Sequence, residues 1–139
     1  MTSVYFDASI IVSLLINDDL NERAEEFVRA NSPTICLSDF AAAEFSSVLS
    51  RRARMQTLSR SQARVAFREF DLTKGIVALE TTTADIATAD GYLRRLDLPL
   101  RTPDALNIAL ADRAGAALAT FDEPMARCAR ALGVRLAAV

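Results

Sequence analysis

With 139 residues, 51% of them apolar and 24% charged, the chain has the size and balance of one folded domain spanning residues 1–139, and it is excluded from the disordered and fibrous classes. It contains no histidine, so catalysis must rest on carboxylates, hydroxyls or arginine, and the commonest transition-metal ligand is ruled out. The net charge of −2 conceals an acid-free stretch between Glu44 and Glu69 that holds Arg51, Arg52, Arg54, Arg60, Arg64 and Arg68, either a solvated face or one that contacts phosphates.

Val4-Tyr5-Phe6 is a buried strand, and Asp7-Ala8-Ser9 turns it into a helix over Ile10–Leu15. The apolar run from Ala8 to Ile16, broken by Ser9 and Ser13, falls far short of the roughly 20 residues that a bilayer-crossing helix needs. A basic leader with a small-residue cleavage site is also missing, so a cytoplasmic address without membrane contact is expected. Asp18-Asp19 marks a turn before a helix over Asn21–Ala30 and a second strand, Thr34–Leu37. Ser38 then caps the helix that carries Glu44.

Thr57–Ser59 breaks the arginine-rich region, Ile76–Leu79 is a third strand, and Thr81–Leu96 is helical. Thr102-Pro103 opens another helix and Gly115 ends it. Ala117–Thr120 is a fourth strand, Pro124–Leu132 a helix closed by Gly133, and Val134–Leu136 a fifth strand. This β-α alternation predicts an α/β fold: a parallel sheet of five strands, helices on both faces, and ligands at the carboxyl ends of the strands. Cys36 and Cys128 lie far apart and outside any C-x-x-C pair, which leaves them as buried reduced thiols.

Asp7 follows the first strand and Asp122 the fourth, where such a sheet builds its site. Asp104 stands in the first turn of its helix, as a dipole partner or a site residue. Glu44 shares four-residue spacing with Phe40 and Val48 on a partly core-facing stripe. A carboxylate there needs a cation, a hydrogen-bond network or an ion pair with Arg51 or Arg52. Several carboxylates brought together repel unless a cation holds them, and an oxygen-only donor set suits Mg²⁺ or Mn²⁺. The waters such an ion retains can supply the nucleophile for attack on phosphorus. Asp39, Asp85, Asp90 and Asp112 read as helix caps or solvent pairs.

Four segments together, Val4-Tyr5-Phe6-Asp7-Ala8-Ser9, Ser38-Asp39-Phe40-Ala41-Ala42-Ala43-Glu44, Thr102-Pro103-Asp104-Ala105-Leu106-Asn107 and Leu118-Ala119-Thr120-Phe121-Asp122, resemble the ordered acidic motifs of PIN domains. At this length the chain is most similar to the VapC toxins of bacterial toxin–antitoxin pairs. The resemblance implies a PIN-like three-layer fold, a homodimer, endoribonuclease activity on RNA, and a cognate VapB-type antitoxin that blocks the acidic pocket. It assigns Asp7, Glu44, Asp104 and the more variable Asp122 to metal binding and catalysis. Ser9 and Thr120 fall where hydroxyls border the pocket, Asn107 one turn beyond Asp104 is expected to orient it, and Arg51, Arg52 and Arg54 are the candidate RNA contacts.

A haloacid-dehalogenase-like phosphatase would need an acid two positions after Asp7, where Ser9 stands, and a receiver domain would need a lysine after a late strand, where Lys74 does not fall. The remaining alternative is a catalytically silent PIN module that binds RNA or a protein.

Overall fold

The computed structural model describes residues 2–139. Eleven elements follow in order: β1 (Ser3–Phe6), α1 (Ala8–Leu15), α2 (Asn21–Asn31), β2 (Thr34–Ser38), α3 (Asp39–Arg54), α4 (Arg60–Leu72), β3 (Val77–Leu79), α5 (Thr83–Arg94), α6 (Thr102–Arg113), β4 (Ala117–Ala119) and α7 (Glu123–Ala131). All strand pairs are parallel, and the sheet runs β3-β2-β1-β4. The chain therefore leaves β1 toward one edge and returns to its other side with β4. That reversal opens the crevice in which doubly wound sheets bind ligands, between the carboxyl ends of β1 and β4.

Four strands replace the expected five. Val134–Leu136 makes only an isolated bridge, Leu118 with Leu136. Two backbone bonds hold it, Leu118 N to Arg135 O at 2.8 Å and Ala137 N to Leu118 O at 2.9 Å, too few to continue a ladder beside the three-residue β4. Thr81–Leu96 is trimmed to α5 because Thr82 takes the N-cap, its hydroxyl accepting from Asp85 N while the Asp85 carboxylate accepts from Thr82 N. Both cysteines are free and buried.

Local chemistry explains the helices that matter for the site. On α3 the fully buried stripe is Ala41, Phe45 and Leu49, at four-residue spacing; Phe40, Glu44 and Val48 lie half-buried beside it. Phe45 stacks on Phe70 of α4 (5.0 Å between centroids, 26°) and meets Phe67 edge-on (5.8 Å, 87°), which fixes α3 against α4. Helix α6 is buried without interruption from Ala105 to Ala111, so it forms the spine of the core. Asp104 and Asn107 ride on that spine. Among the described residues no helix is long and apolar enough to cross a membrane.

Candidate active site

The β1–β4 register pairs Phe6 with Ala119, so the next residues outward, Asp7 and Thr120, stand side by side. Asp7 is 3% exposed and caps α1, its Oδ1 accepting from Ile10 N at 3.2 Å. Ser9 Oγ donates to Oδ1 at 2.6 Å and Thr120 Oγ1 to Oδ2 at 2.5 Å. Each hydroxyl is itself oriented, since Ser9 Oγ accepts from Phe121 N and Thr120 Oγ1 from Asp122 N, both at 2.9 Å. Their protons are thereby aimed at the carboxylate. Burial nevertheless pushes the Asp7 carboxyl above its ordinary value, and these donors only partly oppose the rise.

Glu44 reaches the same crevice from α3. Its carboxyl is also pushed up, by burial first and then by the charges of Asp7 and Asp104, against the lowering effect of a bond from Asn107. Asn107 Nδ2 donates to Glu44 Oε1 at 2.7 Å and to Pro103 O at 3.0 Å. The sequence pattern placed Asn107 as the orienter of Asp104; the structure turns its amide to Glu44 instead, because one helical turn projects the side chain across to α3. No arginine lies within ion-pair distance of Glu44 among the described residues.

Asn107 Oδ1 accepts from the Tyr5 hydroxyl at 2.7 Å, and Tyr5 Oη lies 2.7 Å from Ser38 Oγ. Burial, and then the charges of Glu44, Asp7 and Asp39, hold the Tyr5 phenol far above its usual range despite the Ser38 bond, so it keeps its proton. Sequence reasoning missed Tyr5 and read Ser38 only as a cap. The one available signal was a hydroxyl in the otherwise apolar Val4-Tyr5-Phe6 strand.

Asp7, Glu44, Asp104 and Asp122 line one cavity of about 300 Å³, together with Ser9, Asn107, Arg51, Arg52 and Asp18, the last read from sequence as a turn. Arg54 is not part of that lining; its guanidinium donates to Ser50 Oγ at 2.8 Å. Asp104 and Asp122 are turned to their own helix starts, accepting from Arg101 N at 3.4 Å and Met125 N at 3.0 Å. Among the described residues no three acidic or thiol groups meet closely enough to form a ready-made cation cage. The 3.4 Å bond on Asp104 is a weak hold. Chemically the donor set fits a hard divalent ion that keeps several waters, since every candidate ligand is an oxygen on a shared cavity wall.

The acid-lined crevice stands at the switch point of the parallel sheet, and the chain belongs to the PIN domain family, which its sequence matches over residues 4–131. Over 99% of its length it is 29% identical to Ribonuclease VapC46 of Mycobacterium tuberculosis, 98% of which is covered. In fold it is similar to VapC20 of the same organism, described as a Sarcin-Ricin loop cleaving toxin (TM-score 0.75, 20% identity, 98% of this chain and 99% of that one). VapBC2 from Rickettsia felis bound to a promoter DNA fragment is likewise similar (TM-score 0.70, 16% identity, 98% of each chain).

Proposed function

We propose that the chain is a divalent-metal-dependent endoribonuclease, with Mg²⁺ or Mn²⁺ as the ion, acting as the toxin of a VapBC-type pair. The observation that carries this reading is the convergence of four carboxylates, far apart in sequence, on the walls of one cavity at the carboxyl ends of β1 and β4. Family membership and near full-length similarity to a named ribonuclease support it. An RNA substrate, a VapB-type antitoxin over the cavity and a homodimer accompany the proposal; the antitoxin is in keeping with solved relatives described as VapBC.

Asp7, Glu44, Asp104 and Asp122 would hold the cation. Once bound, it supplies Lewis acidity toward phosphoryl oxygen and lowers the pKa of a coordinated water. The protein's own part is orientation. Ser9 and Thr120 fix both oxygens of Asp7, Asn107 fixes one oxygen of Glu44, and Arg51 and Arg52 lie at the rim on the α3 face that carries Glu44, where guanidinium forks suit RNA phosphates.

Purified protein is expected to cut an RNA pool with Mg²⁺ or Mn²⁺ and to stop when EDTA is added. The spread of the carboxylates favours one second reading, a silent module that binds without cutting. RNA retained but left intact in Mn²⁺ would establish that reading, and cleavage that persists in EDTA would remove the metal from the chemistry.

A second expectation concerns the rim. Reversing charge at Arg51 and Arg52 together should weaken RNA binding and flatten the dependence of log K on log salt by about 0.7 for each phosphate that is no longer neutralised. Filter binding at several salt concentrations measures it, and an unaltered slope would take these arginines out of the RNA path.

A further inference from the structure

The geometry points to Tyr5 as a positioning residue for Glu44, acting through Asn107 and held in turn by Ser38. This inference rests on the nuclease reading above. Tyr5 is fully buried, Ser38 is 1% exposed and Asn107 2%. They belong to three different elements, β1, the end of β2 and α6, and their polar ends converge behind Glu44.

The direction of every bond in the chain can be assigned. Asn107 Nδ2 spends its two protons on Glu44 Oε1 and Pro103 O, both acceptors, so the amide's oxygen must face Tyr5 and accept. The single phenolic proton is committed there. Tyr5 Oη must then accept from Ser38, whose oxygen is already receiving Ala41 N at 2.9 Å. The order is Ala41 N–H to Ser38, Ser38 to Tyr5, Tyr5 to Asn107, and Asn107 to Glu44. In a low-dielectric interior each bond of such a chain polarises the next.

The hydroxyl of Tyr5 has a specific task in this chain. An Asn amide can turn over by half a rotation, and only its environment decides which end faces where. Turned over, Asn107 would set its oxygen against the Glu44 carboxylate and push it away. The flipped amide would also face Pro103 O, and Tyr5, which donates to Oδ1 at 2.7 Å, adds to the cost of that state because its proton would have to leave the Asn107 oxygen and turn to Ser38. Phenylalanine would fill the same volume in a strand whose neighbours, Val4 and Phe6, are apolar, and it would carry no polar group to be satisfied. With Oε1 held by Asn107, Glu44 Oε2 takes no protein donor among the described residues and is left for a ligand.

The test is Mn²⁺ binding, read by the electron paramagnetic resonance signal of free Mn²⁺ during titration of purified protein, with thermal unfolding in EDTA recorded beside it. Tyr5→Phe is expected to raise the Mn²⁺ Kd severalfold, up to about tenfold, the lower end of the cost of losing a partner bonded directly to a ligand, since Tyr5 acts one bond further out. In an Asn107→Leu background the same substitution should add nothing, since the link it acts through is gone. A lowered Tm with an unchanged Kd in Tyr5→Phe would make the hydroxyl a packing feature only and overturn the inference. An equal effect in both backgrounds would do the same, and if Asn107→Leu does not fold, the Kd of Tyr5→Phe decides alone. Wild-type protein that binds no Mn²⁺ would overturn the nuclease reading and this inference with it, whereas normal wild-type binding with an unchanged Tyr5→Phe removes this inference alone.

Discussion

Asp7→Asn is expected to lower RNA cleavage by about 10²–10⁴-fold, and to raise the melting temperature of the metal-free protein at neutral pH. On the proposed reading Asp7 is a charged ligand of a cation whose stabilisation of the transition state is worth several kcal/mol, each 1.36 kcal/mol being about tenfold in rate, and the first effect follows from its loss. The second follows from the raised Asp7 carboxyl. A carboxyl whose folded-state value lies above its unfolded one adds stability that is fully present below the unfolded value, near pH 4, and lost as pH rises through the folded value. At pH 7, well above the unfolded value, that contribution is reduced or lost, and asparagine, which does not ionise, avoids the loss.

Asparagine also caps a helix as well as aspartate does, so α1 keeps its start. Calorimetry in EDTA across pH checks the second effect: the mutant's advantage should shrink toward pH 4. A mutant less stable than wild type at every pH would show that Asp7 serves the fold before it serves a cation. Undiminished cleavage would remove Asp7 from the site.

The largest loss of stability is expected far from the cavity, at Asp85. Its side chain is 2% exposed and receives Arg113 Nε at 2.7 Å and Nη2 at 3.1 Å, a two-pronged bond that fastens α5 to α6, while Arg113 also donates to Glu80 O at 2.8 Å. Asp85→Ala strips the buried end of this pair and half of the Thr82 capping box together. Breaking a buried pair costs about 3–5 kcal/mol, and because the Arg113 side chain is 41% exposed the loss should fall near about 2–3 kcal/mol, or a Tm lower by about 6–10 °C.

Burial alone would raise the Asp85 carboxyl, but the Arg113 and Thr82 bonds overcome it and hold the group below its usual value. The sign is then opposite to that at Asp7: the contribution is present above the unfolded value, near pH 4, and lost as pH falls through the folded one. Chemical denaturation at pH 7 and at pH 3 should show a larger wild-type advantage at the first than at the second. RNA cleavage per folded molecule should be unaltered. A mutant as stable as wild type at pH 7 would mean that Arg113 finds water as good a partner.

Asp85 also illustrates what could be read before the fold was known. Thr82 and Asp85 lie three residues apart, so a cap was visible in the sequence; the partner 28 residues away was not. The same division runs through the cavity. Asp7, Asp104 and Asp122 could be placed because each follows a strand or opens a helix at one end of the sheet, and Glu44 because its helical spacing set it beside the core. Hidden from that reading was where each side chain turns. Asn107 bonds an acid 63 positions away and not its neighbour on the helix, and Tyr5 meets partners 33 and 102 positions distant. Spacing reports which face of an element a residue occupies, while such bonds depend on how three elements cross. The fifth strand failed for a related reason, since the hydropathy of Val134–Leu136 records that it is covered and not how much ladder it can find.

Helix α6 is both the spine of the interior and the carrier of Asp104 and Asn107. A substitution among Ala105–Ala111 would disturb folding and the acid pocket at once, whereas one at Arg51 or Arg52, toward the C-terminal end of α3, would alter the cavity rim with less effect on the core. Descendants of such a molecule would keep the same cutting centre and diverge in the strand of RNA they admit to it.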